Sequence, residues 1–433
     1  MTMESYPQVD KTLFYSQYRS GVIVSFQMFV PTKALFGAGQ LNHLHEQALP
    51  GKKALLVISN GKSTKVNGYL DRTEKELHTA GVETVLFDQV EANPLKSTVM
   101  RGGAMARENQ CDFIVALGGG SCIDAAKGIA VVATNDGDLW DYITQGTGKG
   151  KPIAIKPLPI VAITTTAGTG SETDAGGVIT NEDTNEKTPV KGPSLFPVLA
   201  IIDPELMATV PPKFTAYQGF DALFHNIEGY LANKANLMSE MVALEAISQI
   251  SAYLPTAVQN GIDMKARERV AFGNYLGGLE MCLSSNMSEH SLEHALSAYH
   301  QALPHGAGLI MISLAYFSHM IDIHVCDDRF IILARHMGRP DAAKPEDFLD
   351  ALKELQEKCG VANLKMSDYG ISPDEFHKMA HNAKTAMAGL FMADRMPMSE
   401  EDCVAIYQAW PQGSVYRRNT RVANRACGKS AGF

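Results

Sequence analysis

Several protein classes are excluded by what this 433-residue chain lacks. It has two tryptophans and seven scattered cysteines, with no Cys-x-x-Cys pair. An odd, dispersed set of thiols points to a reducing, cytoplasmic setting rather than to a disulfide framework. Basic charge is short: 38 Lys and Arg stand against 47 Asp and Glu, a net charge of −9. Nucleic-acid binding needs a basic face, so no such partner is expected. The one basic run, RRNTRVANRACGK at 417–429, reads as a solvated terminus. No stretch reaches the ~20 uninterrupted apolar residues of a membrane span. The opening MTMESYPQVDKTLFYSQYRSG is too polar and too mixed in charge for a secretory signal. Two nucleotide motifs are missing as well. GTGSET at 168–173 fails GxGxxG at its last position, and Gly61-Lys62-Ser63 has Leu56 where a Walker loop needs glycine. Phosphoryl transfer is therefore not expected.

What remains is a composition of 45% hydrophobic and 20% charged residues, that of a globular protein long enough for two domains. The first half alternates β-branched runs with helical patterns. ALLVIS (54–59), TVLFDQV (84–90), FIVALGGG (113–120) and IVAITTT (160–166) read as core strands, and helix-period segments follow the first three. This alternation predicts parallel βαβ units with helices on both faces, a Rossmann-like α/β domain over residues 1–203. Beyond DPELMATVPPK the period becomes 3.6, in LMSEMVALEAISQISAYL, ARERVAFGNYLGGLEMCL, GLIMISLAYFSHMI and PEDFLDALKELQEKCG. An all-α domain over 204–433 is expected, with no internal repeats or low-complexity tracts.

Two glycine turns follow core strands. Gly118-Gly119-Gly120-Ser121 precedes a helix, where bare backbone and free helix N–H groups suit a pyrophosphate, although a plain tight turn has the same composition. The second, Thr164 to Glu172, adds hydroxyls at another strand end. Open α/β sheets bind ligands at such ends. After ALLVIS come Ser59, Asn60, Gly61, Lys62 and Ser63, with no acid to hold the ribose 2′-hydroxyl of NAD. Lys62 and Ser63 suit a 2′-phosphate instead, which favours NADP(H) over NAD(H).

Asp221 and His225 lie four apart in FDALFHNIE and share a helix face. His290 opens SEHSLEHALSAYHQALPHG, which also holds His294 and His300 and ends in His305. Crowded imidazoles among apolar neighbours are costly unless ligated or hydrogen-bonded. Asp221, His225, His290 and His305 form a set that suits Fe²⁺ or Zn²⁺ and leaves a divalent ion a net charge near +1. His377 and His381 also lie four apart but lack a nearby Asp, and read as surface.

Together, LFGAGQL, ALGGGSCIDAAKG, ITTTAGTGSE, DPELMATVPP, GFDALFHNIEGYL and LPHGAGL resemble the iron-containing (group III) alcohol dehydrogenases over about Leu35 to Trp410. The resemblance implies an N-terminal dinucleotide domain and a C-terminal helical metal domain. It implies metal ligands at Asp221, His225, His290 and His305, and a proton-relay histidine at His294. Cofactor contacts then fall on Gly119, Gly120, Ser121, Thr165, Thr166 and Thr169, with Lys187 on the ribose. The chain departs from many members in one extra residue between His294 and His305, and in Ser59 where NAD-using members carry Asp. With Gly61 and Ser63, that turn resembles the NADP-using, butanol-dehydrogenase-like branch. The expected activity is metal-dependent hydride transfer between NAD(P)(H) and a small alcohol or aldehyde, by a cytoplasmic dimer. One rival is a lyase resembling dehydroquinate synthase, which would need more cations than the Lys234, Lys265, Arg267 and Arg269 found between 221 and 305. The other is a non-catalytic dinucleotide-binding protein.

Overall fold

The structure, a computed structural model, describes residues 25–409; the polar opening and the basic tail lie outside the described residues. Six strands form one parallel sheet: β1 (Lys33–Phe36), β2 (Lys53–Ser59), β3 (Glu83–Val90), β4 (Phe113–Gly118), β5 (Ile160–Thr164) and β8 (Leu199–Ile202). Their order across the sheet is β1-β8-β5-β4-β2-β3. In register, Leu56 of β2 stands between Leu86 of β3 and Val115 of β4.

Alternation places successive side chains on opposite faces. Leu55, Val57, Ile114, Ala116, Ile160 and Ala162 pack beneath α2 (Lys96–Glu108) and α3 (Gly120–Thr134). Leu56, Ile58, Val115, Leu117, Val161 and Ile163 pack with Leu41, Leu44 and α1 (Tyr69–Thr79). With both faces covered, the inner strands β2, β4 and β5 are continuous apolar runs, as parallel sheets require, while the edge strand β3 keeps polar residues. β2 leads on to β3 on one side, whereas β4 and β5 lie on the other, so the order of winding across the parallel sheet reverses between β2 and β4. Dinucleotides bind in the crevice at such a switch point, outside the carboxyl ends of the strands. The Ser59 turn and the Gly118 turn flank it.

A second sheet pairs β6 (Gly176–Asn181) with β7 (Glu186–Lys191) as an antiparallel hairpin. It is joined to the first sheet's loops by Thr180, whose N–H donates to the Pro94 carbonyl at 2.9 Å. The buried Lys127 ammonium of α3 anchors the start of this hairpin through Ser171, Asp174 (2.7 Å) and the Gly176 carbonyl.

After Pro204 the described residues form only helices. The longer ones are α4 (Pro212–Leu231), α5 (Leu237–Gln259), α6 (Met264–Leu283), α7 (Ser288–Tyr299), α8 (His305–Asp322), α9 (Asp327–His336), α10 (Glu346–Lys358), α11 (Phe376–Ala386) and α12 (Glu400–Gln408). Proline at the first positions of α4 satisfies the rule that the missing N–H costs nothing there. α5 runs through Pro255 to Gln259, one turn beyond the periodic segment. It is long and apolar enough to cross a bilayer, yet 56% of its most apolar window is buried in the protein. α4 is buried along nearly its whole length, between α5, α6 and α8.

Candidate active site

Asp221 and His225 lie one turn apart on α4, His290 is in the first turn of α7, and His305 begins α8. Asp221, His290 and His305 bring their donor atoms together, and His225 reaches the same aspartate from one turn along α4. His225 Nε2, His290 Nε2 and His305 Nε2 stand 3.7, 3.8 and 3.4 Å from the same atom, Asp221 Oδ1. A tetrahedral ion with bonds of ~2.0–2.3 Å separates its donors by roughly 3.3–3.8 Å. Asp221 Oδ1 and His290 Nε2 are buried and have no hydrogen-bond partner. Buried polar atoms aimed at one point without partners are what a metal centre presents, so the residues fit the group.

The opposite ring nitrogens are all engaged. His225 Nδ1 bonds the Gly168 carbonyl at 3.2 Å, His290 Nδ1 bonds Glu228, and His305 Nδ1 bonds Glu293. A carbonyl accepts only, so His225 carries its proton on Nδ1 and leaves Nε2 as a lone pair. Burial pushes the His225 imidazole down to about 3, with the neighbouring His290 and His305 adding to the effect, so it stays neutral. Burial opposes ionisation of Asp221, but His225 and His305 outweigh it and hold the carboxyl well below the usual range. Burial likewise opposes charge on His290, but Glu228 and Asp221 outweigh it and raise the ring to about 9. His305 is 20% exposed in its side chain and gives the centre its open side.

Sequence reasoning missed Glu228, Glu293 and the Gly168 carbonyl. Glu228 continues the Asp221–His225 face at the next helical step, and Glu293 sits three after His290. Helical spacing was therefore the available clue. Burial pushes Glu289, beside Glu228, well above the carboxylate range, and Glu228 itself reinforces this.

His294 is buried one turn along α7 from His290, its ring 5.2 Å from that of His305. Burial first, then Lys187, holds it well below its ordinary value. Lys187, on β7, is buried. Its ammonium donates to Asn93 Oδ1 at 2.9 Å and to Ser297 Oγ at 2.8 Å, and lies 3.5 Å from Glu293. It belongs to the surroundings of His305. His300 lies outside the centre and pairs with Glu375 at 3.0 Å. His377 and His381 are exposed, the latter paired with Glu400.

The two glycine turns pack directly on each other. A Cβ on Gly119 would lie 2.8 Å from Thr166 Cγ2, and one on Gly120 would lie 2.3 Å from Thr169 Cγ2. Close packing therefore demands glycine here, in addition to any approach of a ligand. Ser121 and Thr165 are half-buried beside them, while Gly61 and Ser63 are exposed past the end of β2, where Ser59 is half-buried. The second turn also reaches the histidine cluster: the Gly168 carbonyl bonds His225, and the Gly170 N–H donates to Asn274 at 2.9 Å.

Residues 31–204 match the family model described as iron-containing alcohol dehydrogenase, and 215–410 match the C-terminal domain of that family. The chain belongs to the iron-containing alcohol dehydrogenase family. It is thus a metal-dependent alcohol oxidoreductase that uses a nicotinamide cofactor. Among its relatives is 1,3-propanediol dehydrogenase of Klebsiella pneumoniae, 34% identical over 375 residues that cover 83% of this chain and 93% of that one. Another is a probable NADH-dependent butanol dehydrogenase of Bacillus subtilis, 30% identical, covering 89% and 99%. An archaeal halo-thermophilic alcohol dehydrogenase from a Red Sea brine pool superimposes with a TM-score of 0.84, at 32% identity, over 90% of this chain and 99% of its own.

Proposed function

We propose that this alcohol dehydrogenase holds Fe²⁺ or Zn²⁺ through Asp221, His225, His290 and His305 and transfers a hydride between NAD(P)(H), with NADP(H) favoured, and a small alcohol or aldehyde. The observation that carries this reading is the sharing of the 164–172 turn. One strand-end loop, which we take to cradle the cofactor, supplies the Gly168 carbonyl that orients His225, which would make cofactor and ion neighbours. When bound, the metal polarises a substrate oxygen and the nicotinamide exchanges the hydride. The chain's part is to hold both reactants in contact and to keep water out, which removes on the order of 7–11 kcal/mol at best. His294, neutral and buried behind His305, is the residue through which the alcohol proton leaves. Gly119, Gly120, Ser121, Thr165, Thr166 and Thr169 cradle the pyrophosphate side of the cofactor.

The choice of NADP(H) rests on the Ser59–Ser63 turn, which offers Lys62 and no acid. We place the division between a nucleotide domain and a helical metal domain near residue 203, and the enzyme in the cytoplasm as a dimer. The dehydroquinate-synthase-like alternative is not favoured: the Arg267 guanidinium is taken up by Thr215 and the Val210 and Gly261 carbonyls.

His290→Ala tests the ligand set, by metal content and turnover measured together. Stoichiometric metal with full turnover would sink it. Initial rates with NADPH and NADH at equal concentration, on a panel of aldehydes, decide the cofactor. A strong preference for NADH overturns the argument from Ser59.

A further inference from the structure

Two buried carboxylates stand behind the metal-facing imidazoles. Both are glutamates on helices that already carry a ligand: Glu228 on α4 and Glu293 on α7. Each is fully buried. Glu228 reaches His290 Nδ1 with one oxygen and accepts the Met287 N–H with the other. Glu293 reaches His305 Nδ1 with Oε2, and the Lys187 ammonium lies 3.5 Å from that same oxygen. Lys187 is itself fixed by Asn93 and Ser297, so Glu293 is held from both sides.

We propose that Glu228 and Glu293 are positioning residues of the metal centre. Each accepts the Nδ1–H of one imidazole, fixing its tautomer so that the Nε2 lone pair faces Asp221 Oδ1. An unconstrained imidazole carries its proton on either nitrogen and turns about its Cβ–Cγ bond. A carboxylate acceptor removes that freedom and makes Nε2 a stronger donor, because negative charge beside Nδ1–H strengthens the metal bond on the far side. His225 has only the Gly168 carbonyl behind it. The centre therefore has two anion-backed imidazoles and one that is not.

This inference rests on the ligand reading above, and the experiment separates the two. Wild type, Glu228→Gln, Glu293→Gln and His290→Ala are stripped of metal, checked by circular dichroism, and titrated with Zn²⁺ against a competing chelator. Co²⁺ loading reports ligand geometry through its visible spectrum. A glutamine oxygen still accepts from Nδ1–H, so Glu293→Gln removes charge and leaves shape, whereas Glu228→Gln also costs the acceptor of the Met287 N–H, and Glu293→Gln is the cleaner of the two. The expected result is ~10–100-fold weaker Zn²⁺ binding in each Gln variant, a perturbed Co²⁺ spectrum, and sub-stoichiometric metal in His290→Ala. Wild-type affinity and spectrum in both Gln variants, with metal still lost from His290→Ala, overturn the positioning role alone. Stoichiometric metal in His290→Ala overturns the ligand set. If a Gln variant fails to fold, the same titration on the other decides.

Discussion

Gly120→Ala tests whether the nucleotide turn and the metal centre are one mechanical unit. The added Cβ would lie 2.3 Å from Thr169 Cγ2, 2.5 Å from Oγ1 and 2.8 Å from Cβ. Rotating Thr169 does not clear it, because its own Cβ is too close. Carbon atoms rest at ~3.5–4.0 Å, so the turns must part by roughly an ångström. α3 cannot yield, since it is buried along nearly its whole length. The displacement therefore falls on Thr169, between Gly168, which bonds His225, and Gly170, which bonds Asn274. Overpacking of this kind costs about 1–3 kcal/mol. Loss of the His225 orienting bond weakens metal binding by ~10-fold or more. Thermal unfolding of the metal-free protein reads the first effect, and chelator competition the second. The double variant with Thr169→Gly, which makes room for the methyl, should recover most of both. If Gly120→Ala matches the parent in midpoint, metal affinity and cofactor KM, the coupling of the turns is refuted.

Three further outcomes follow from the same geometry. Burial pushes the Asp394 carboxyl up to about 7, against ~3.9 unfolded, so its neutral form favours the fold. That stability is fully present below about pH 4 and is lost as pH rises to 7, a few kcal/mol in all. Asp394→Asn should flatten this decline, seen as a stability gap over the parent that widens from pH 5 to pH 8; parallel curves would contradict it. Lys187→Met leaves Asn93 Oδ1 and the Glu293 carboxylate buried without their cation, at a cost of about 3–5 kcal/mol. Denaturant unfolding reads this at constant m, and a loss under ~1 kcal/mol argues that the pair is not held as described. Metal at a hundredfold excess over Kd adds ~2.7 kcal/mol to the folded state. Chelation should thus lower the melting point of the parent and leave Asp221→Asn unmoved, whereas equal shifts in both would remove Asp221 from the centre.

The legible parts of this chain were those with strong local periodicity. β2, β4 and β5 are continuous apolar runs because both sheet faces are covered, and they stand out in the sequence for that reason, whereas the edge strand β3 is half polar. β1 and β8 are four residues each and take their strand character from pairing with one another and with β5, which no window of sequence contains. The β6–β7 hairpin was hidden too. It carries Pro189 within β7, and its residues are held by Pro94 and Lys127 from distant segments. At the centre, Asp221, His225, His290 and His305 were noticed because histidine is rare and clustered. Glu228 and Glu293 were not, because glutamate on a helix is ordinarily solvated, and only burial gives these two a different meaning.

Asn93 adopts a left-handed backbone, with φ of 54°, at the carboxyl end of the sheet. From there its side chain accepts from Lys187 and donates to the Gln301 and Leu303 carbonyls, just ahead of His305. This one amide rivets three otherwise separate stretches of chain at the floor of the cleft. Losing that amide would free the β7 lysine and the segment ahead of His305 together, so a change at position 93 would be felt at the head of α8.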